Sequence, residues 1–250
     1  MAVFGLILKT IFYAPIYNAL IFLYNVLPGH DIGIAIILLT AAIRLLTLPL
    51  NSKSLRSQKV LQELQPKLKE LQIKYKDDKE GLAKQTMALY AEQKVNPFAS
   101  CLPLLLQLPF LIAFYQVLRN ALESKGFDVL YPFVQNPGNI NALSFGIINL
   151  ANPLWMLALV AGASQFWQAH MLSTNSSPKP QTDGAKDEDM MAMMNKQMKY
   201  MMPVMTTVIA WKLPAGLALY WITTNLLAVA QQWWLFHKKQ NSTVTLTPGV

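Results

Sequence analysis

Between Ile32 and Leu50 the chain reads IGIAIILLTAAIRLLTLPL, a run broken by one charge, Arg44. A helix that crosses a bilayer needs about 20 predominantly apolar residues, so this run is long enough to span. Lipid leaves no water to satisfy exposed backbone groups, and a single span of this kind must therefore be helical. A charge within it costs roughly 2.5–3.5 kcal/mol on insertion scales. Two readings of Arg44 follow. From Arg44 to Leu50 is only about 9 Å of helix, which lets the guanidinium snorkel to the cytoplasmic headgroups. Alternatively, the charge is kept inside the membrane because the protein uses it.

Composition fixes the class around this run. The chain is 53% hydrophobic and 14% charged, and its charges fall in blocks. A soluble domain spreads charge over every surface helix, so the expected fold class is an all-α membrane protein. The net charge of +8 first suggests nucleic acid, but the basic residues cluster between apolar runs, and no nucleic-acid partner is expected. No cleavable signal is evident at the start. Cys101 is the only cysteine, which excludes an intramolecular disulfide and reads as a small buried residue.

Five apolar segments stand out: Ile32–Leu50, Ala99–Leu118, Pro153–Leu172, Tyr200–Trp211 and Ala215–Phe236. The fourth is short and is expected to begin earlier, near Met194. Trp211–Gly216 (WKLPAG) makes the turn into the fifth. The expected organisation is an N-terminal apolar helix over 1–31, a five-span core over 32–236 and a short tail over 237–250. Ala2–Leu27, interrupted by Lys9 and Asn18, either lies in the interface or adds a span. Pro28-Gly29-His30-Asp31 ends it in both cases.

Lysine and arginine set the orientation. The stretch Asn51–Phe98 carries ten of them, from Lys53 to Lys94. Lys179, Lys186, Lys196 and Lys199 follow the third segment, and Lys238 and Lys239 follow the fifth. With five spans all three groups fall on one side, which the positive-inside rule makes cytoplasmic. Within the first group, Leu61, Leu64, Leu68, Leu71 and Tyr75 recur at helical spacing. Leu82, Leu89 and Tyr90 continue after Asp77-Asp78, so 51–98 reads as an amphipathic helical hairpin. It serves either as a solvated cap or as a surface for anionic lipid or incoming protein. Residues 173–195 form a cytoplasmic loop rich in Ser, Pro, Lys and Asp.

Motifs for catalysis are missing. His30, His170 and His237 are scattered, and there is no H-E-x-x-H, no G-x-S-x-G and no phosphate loop. The spans hold no Asp or Glu apart from Asp31 at a boundary, so a proton relay has no obvious carboxylate. No catalytic residue, cofactor or metal is expected. Polar residues do recur inside the spans: Thr40, Arg44 and Thr47; Gln107; Ser164, Gln165 and Gln168; and Trp221, Thr224, Asn225, Ala228 and Gln232. Any one of these reads as interhelical glue. Several stripes beside an arginine with no acidic partner argue for a water-filled cavity instead. The methionines from Met190 to Met205 form either a promiscuous apolar surface or ordinary packing.

Several stretches resemble YidC-type membrane protein insertases. They are Ile36–Leu50 with its arginine, Leu64-Gln65-Pro66-Lys67, Met87–Leu118 (MALYAEQKVNPFASCLPLLLQLPFLIAFYQVL) and Pro214–Gln232 (PAGLALYWITTNLLAVAQQ). The resemblance covers about Ile32 to Phe236. It implies a five-transmembrane-helix bundle with a cytoplasmic helical hairpin and an N-terminal interfacial helix, and a groove open to cytoplasm and lipid. Its groove arginine falls on Arg44, with groove partners on Thr40, Gln165, Tyr220 and Trp221; Thr47, Gln107 and Asn225 complete the candidate set. It implies insertion of small, short-looped membrane proteins, alone or beside the Sec translocon, in a bacterial plasma membrane. The partners would be nascent membrane proteins and lipid, with the ribosome or signal recognition pathway behind them. The short tail after His237 departs from relatives with long basic tails. A small transporter or channel for an anionic solute, using Arg44, is the alternative; a purely structural assembly factor is a third reading.

Overall fold

A computed structural model of the chain describes residues 8–96, 102–173 and 197–242. Cys101, the loop at 174–195 and the methionines from Met190 to Met194 lie outside the described residues. The described residues are mostly helical, with one antiparallel ladder two residues long among them. Two compact units are present. One comprises Met1–Thr47, Leu104–Gln165 and Pro203–Leu227; the other comprises Leu48–Pro103, Phe166–Met202 and Ala228–Val250.

In the first unit a π-helical turn, Leu8–Tyr13, leads into α1 (Ala14–Val26), started by Pro15 in its first turn. Gly29 (φ 79°) and His30 (φ 49°) then turn the chain. Asp31 caps α2 (Ile32–Leu46), accepting from the Gly33 and Ile34 N–H groups at 2.8 and 3.0 Å. The expected span Ile32–Leu50 is not one helix. It closes at Thr47, whose N–H and hydroxyl both reach the Ile43 carbonyl at 3.0 Å, and α3 (Leu48–Glu63) begins next. Pro49 is the reason: it has no N–H to carry the helical ladder on to the Leu45 carbonyl, and it is favoured in a helix's first turn.

α6 (Leu102–Leu122) follows with Pro109 inside it, and β1 (Leu143–Ser144) pairs with β2 (Ile148–Asn149). α7 (Trp155–Ser173), α8 (Met202–Lys212) and α9 (Ala215–Ser242) complete the described helices. A π-helical turn, Gln197–Met201, precedes α8; the expected start of the fourth segment near Met194 lies outside the described residues. Among the described residues no single helix is long and apolar enough by itself to cross a membrane. The pair Ile32–Leu46 and Leu48–Leu61, bent by 68° at its break, has the length and composition only when taken together.

The core of the first unit joins α1, α2, α6 and the start of α9 around Tyr17, Leu20, Ile36, Phe114, Leu118 and Leu217. A smaller cluster is built from Ala158, Ala161, Ala210, Ala218 and Ile222 on α7, α8 and α9. Lipid offers no hydrophobic drive between helices, so close approach of small residues carries the packing. Gly162 shows how close: a Cβ there would overlap the Thr207 hydroxyl and lie 3.0 Å from the Pro203 carbonyl oxygen. The second unit holds α3, α4 (Gln65–Lys74) and α5 (Lys79–Glu92), with Leu64, Leu68 and Tyr90 as its buried contact. Asp78 caps α5 through the Gly81 N–H at 2.8 Å. Also in that unit, the Gln231 amide donates to Ser52 Oγ at 3.0 Å.

Candidate functional site

α2 carries Thr40 and Arg44 on one face, and Thr47, its C-cap, continues that face at helical spacing. Thr40 is buried, and its hydroxyl donates back to the Ile36 carbonyl at 2.6 Å. Its polarity is therefore spent within its own helix. Arg44, one turn on, is half-buried and donates through Nη2 to the Thr224 carbonyl at 3.1 Å. A guanidinium offers five N–H donors, and among the described residues this is its only hydrogen-bond acceptor. Among the described residues no carboxylate pairs with it either. Arg119 and Lys125, by contrast, both pair with Glu123 at the surface. Thr47 half-exposes a hydroxyl that also lies 3.3 Å from the Arg44 carbonyl.

Tyr220 lies one turn before Thr224 on α9 and is 3% exposed. The Gln107 amide donates to its hydroxyl at 2.6 Å. Phe114 and Phe110 flank the ring, with centroids at 4.3 and 5.9 Å. The structure thus joins two separately expected residues, Gln107 and Tyr220, into one interhelical pair. Thr224 supplies a backbone oxygen to Arg44 on that same face.

The rest of the expected α9 stripe turns elsewhere. Asn225 is buried and donates to Ser164 Oγ at 3.0 Å and to the Ala161 carbonyl at 3.4 Å. That is the geometry of interhelical glue. Trp221 is half-buried and packs against both apolar clusters. Gln165 is half-buried near the middle of α7. The reading of Trp221, Thr224, Asn225, Ala228 and Gln232 as one continuous stripe is therefore divided. Thr224 faces α2, Asn225 faces α7, and Gln232 belongs to the other unit. Helical spacing of 3, 4, 7 and 11 covers an arc wide enough to touch two neighbours at once.

One polar centre was barely legible as such. Asp31 collects four hydrogen bonds: Gly33 N–H, Ile34 N–H, the Ser144 hydroxyl at 2.7 Å and the Phe145 N–H at 2.5 Å. An Asp just before an apolar helical run is an N-cap signal. Its partners more than a hundred residues later carry no sequence mark.

Leu159, Val160, Val204, Val208, Ile209 and Leu226 point outward on α7, α8 and α9, while Thr40, Ser164, Thr224 and Asn225 are buried. Apolar outside and polar inside is the polarity of a helical membrane protein. The profile of the family described as 60Kd inner membrane protein matches residues 22–242, and the chain belongs to that family, the YidC-type insertases. A protein of Fusobacterium nucleatum named a membrane protein insertase YidC is 35% identical over 229 residues, 89% of this chain and 98% of its own length. One of Clostridium tetani with the same name is 37% identical over 204 residues, 82% and 81% of the two chains. The similarly named protein of Endomicrobium trichonymphae is 34% identical over 89% of this chain, which spans only 39% of that longer relative.

Proposed function

We propose that this protein is a membrane protein insertase that needs no covalent chemistry. Small, short-looped clients would pass through a hydrophilic recess centred on Arg44, with Thr47, Gln107, Gln165, Tyr220 and Trp221 around it, while Thr40 and Asn225 hold the helices that frame it. The bundle has five spans, with α3 to α5 and the segment before α8 on the cytoplasmic side of a bacterial plasma membrane. Residues 1–31 lie along the opposite interface, 32–236 form the core and 237–250 the tail. Clients arrive alone or from the Sec translocon, ribosome or signal recognition pathway.

The observation that carries the reading is the state of Arg44. It sits in an apolar helix, half-buried, with one neutral acceptor and no counter-ion among the described residues. A guanidinium in that state keeps donors available for a client. At about 4 Å and an effective dielectric near 20, a carboxylate gains about 4 kcal/mol from such a charge before desolvation. An acidic segment therefore dwells at bilayer depth at lower cost, while the client's apolar stretch slides into lipid. Burying that stretch releases roughly 25 cal/mol per Å² of apolar area, which drives the step without nucleotide. The names of the relatives support the same activity.

The test is insertion into proteoliposomes of paired clients that differ only in acidic or neutral translocated residues. Arg44→Ala should slow the acidic client about tenfold, the worth of roughly one charge-assisted hydrogen bond, and the neutral client far less. Equal slowing of both would remove the electrostatic role from Arg44.

A further inference from the structure

The connection between α6 and α7 is unusual for a segment outside the spans. From Gly126 to Leu154 it contains a single charged residue, Asp128. Its backbone is held from one side. Asn18 donates to the Val129 carbonyl at 2.9 Å and accepts from the Tyr131 N–H at 2.6 Å. Asn25 donates to the Gln135 carbonyl at 2.7 Å, the Tyr24 hydroxyl accepts from the Asn141 N–H at 3.0 Å, and Asp31 takes Ser144 and Phe145. The connection's own asparagines close further turns: Asn136 onto the Gly138 N–H, Asn141 onto Leu143 and Asn149 onto Ala151.

With the backbone so committed, the connection exposes a set of large apolar side chains among the exposed polar Gln135, Asn136, Asn139, Asn141 and Asn149. Ile147 is 81% exposed, Phe133 74% and Phe145 54%, with Tyr131 and Leu143 beside them in the same connection. Phe145 has φ 52° and Gly146 φ 71°, so the turn holds a bulky aromatic in the left-handed region. Backbone in such a region persists only where its surroundings over-determine it, and here the Asp31 carboxylate holds the Phe145 N–H. The exposed row runs on along the chain into Trp155, Met156, Leu159 and Val160 at the start of α7.

We infer that the 131–147 connection is a lipid anchor: its exposed aromatic and aliphatic side chains enter the interfacial region of the outer leaflet. Three observations select lipid as the occupant. The row is continuous with the outward apolar face of a membrane helix. Between Gly126 and Leu154 the connection carries one charge, Asp128, while the exposed Arg119, Glu123 and Lys125 lie just before it, so the apolar row itself offers little charge to a protein partner. Aromatic residues are enriched at the headgroup level, and the locally satisfied backbone can enter that region at little cost. Anchoring fixes the outer end of α2 through Asp31, and hence the helix that carries Arg44. This inference rests on the topology proposed above.

The experiment uses the full chain in a Cys101→Ser background, in proteoliposomes, with single cysteines at Phe133, Ile147 or Gln135. The first two carry an environment-sensitive fluorophore, with Gln135→Cys as the solvent-facing control. Lipids brominated near the headgroup should quench positions 133 and 147 at least about twofold more than position 135, with blue-shifted emission. Emission as in water at both positions overturns the anchor. Blue-shifted emission without bromine quenching also overturns it, because a protein or a second copy then covers the row. A membrane-impermeant thiol reagent applied from outside to Gln135→Cys reports the topology separately. Labelling there without lipid quenching at 133 and 147 sinks the anchor while leaving the insertase reading intact.

Discussion

α2 carries an acid just before its first turn and a base in its last, and the two are treated in opposite ways. Asp31 has four donors around its two oxygens, from its own helix and from a connection more than a hundred residues away. Arg44 has five donors and, among the described residues, one neutral acceptor. A saturated charge is a fastener: everything it can do is already done in the folded chain. An undersatisfied charge is a cost to the fold, retained where something outside the fold completes it. The difference separates what holds α2 in place from what α2 is there to present.

The largest effect that would break or sharpen this contrast is on stability. Asp31→Ala removes the N-cap and frees Ser144 and Phe145 together, and should destabilise the protein by about 3 kcal/mol, several charge-assisted bonds counted non-additively. Arg44→Leu should leave the unfolding temperature in detergent unchanged or raise it, because a half-buried charge without a counter-ion is exchanged for an apolar side chain. Thermal unfolding of both variants decides it. A loss for Arg44→Leu as large as for Asp31→Ala would make the arginine a fastener too, and the insertase reading would lose its carrying observation.

A smaller effect apportions Asp31. Ser144→Ala removes one donor and leaves the carboxylate its three backbone partners, so about 1 kcal/mol should be lost. The loss should vanish in an Asp31→Ala background, the signature of a shared contact in a double-mutant cycle. Additive losses would mean that Ser144 acts through something other than Asp31.

How much of this was readable beforehand differs between the two ends for a physical reason. Arg44 announces itself because a charge in an apolar run violates the local pattern, and Gln107 and Asn225 do so more quietly. The partners of those residues are set by tertiary register. Nothing in the spacing says that Gln107 meets Tyr220, or that Asn225 turns to Ser164 while Thr224 turns to Arg44. The break at Thr47 was written in Pro49, yet hydropathy alone reads straight through it, since Leu48 and Leu50 keep the run apolar. Family likeness rests on the same local strings: it was expected over about Ile32 to Phe236, and the match runs over residues 22–242. The Asp31 latch joins an N-cap that sequence shows to a connection that looks featureless. Its three backbone N–H donors leave no trace in side-chain identity.

The smallest expected effect is a pH dependence, and it works on that latch alone. Burial pushes the Asp31 carboxyl up, but the hydrogen bonds from Phe145, Ser144, Ile34 and Gly33 outweigh it and hold the group below its ordinary value of 3.8. A depressed carboxyl contributes stability that is complete above the unfolded-state value and is lost as pH falls through the folded one. The wild-type unfolding temperature should therefore fall more steeply below about pH 4 than that of Asp31→Asn, which carries no titratable group there. Above about pH 5 the offset between the two should be constant. Other carboxylates, including the exposed Glu123, which Lys125 and Arg119 hold below its ordinary value, titrate in both proteins and cancel in the difference. Parallel curves down to low pH would mean that the four contacts hold position 31 through geometry and owe nothing to its charge.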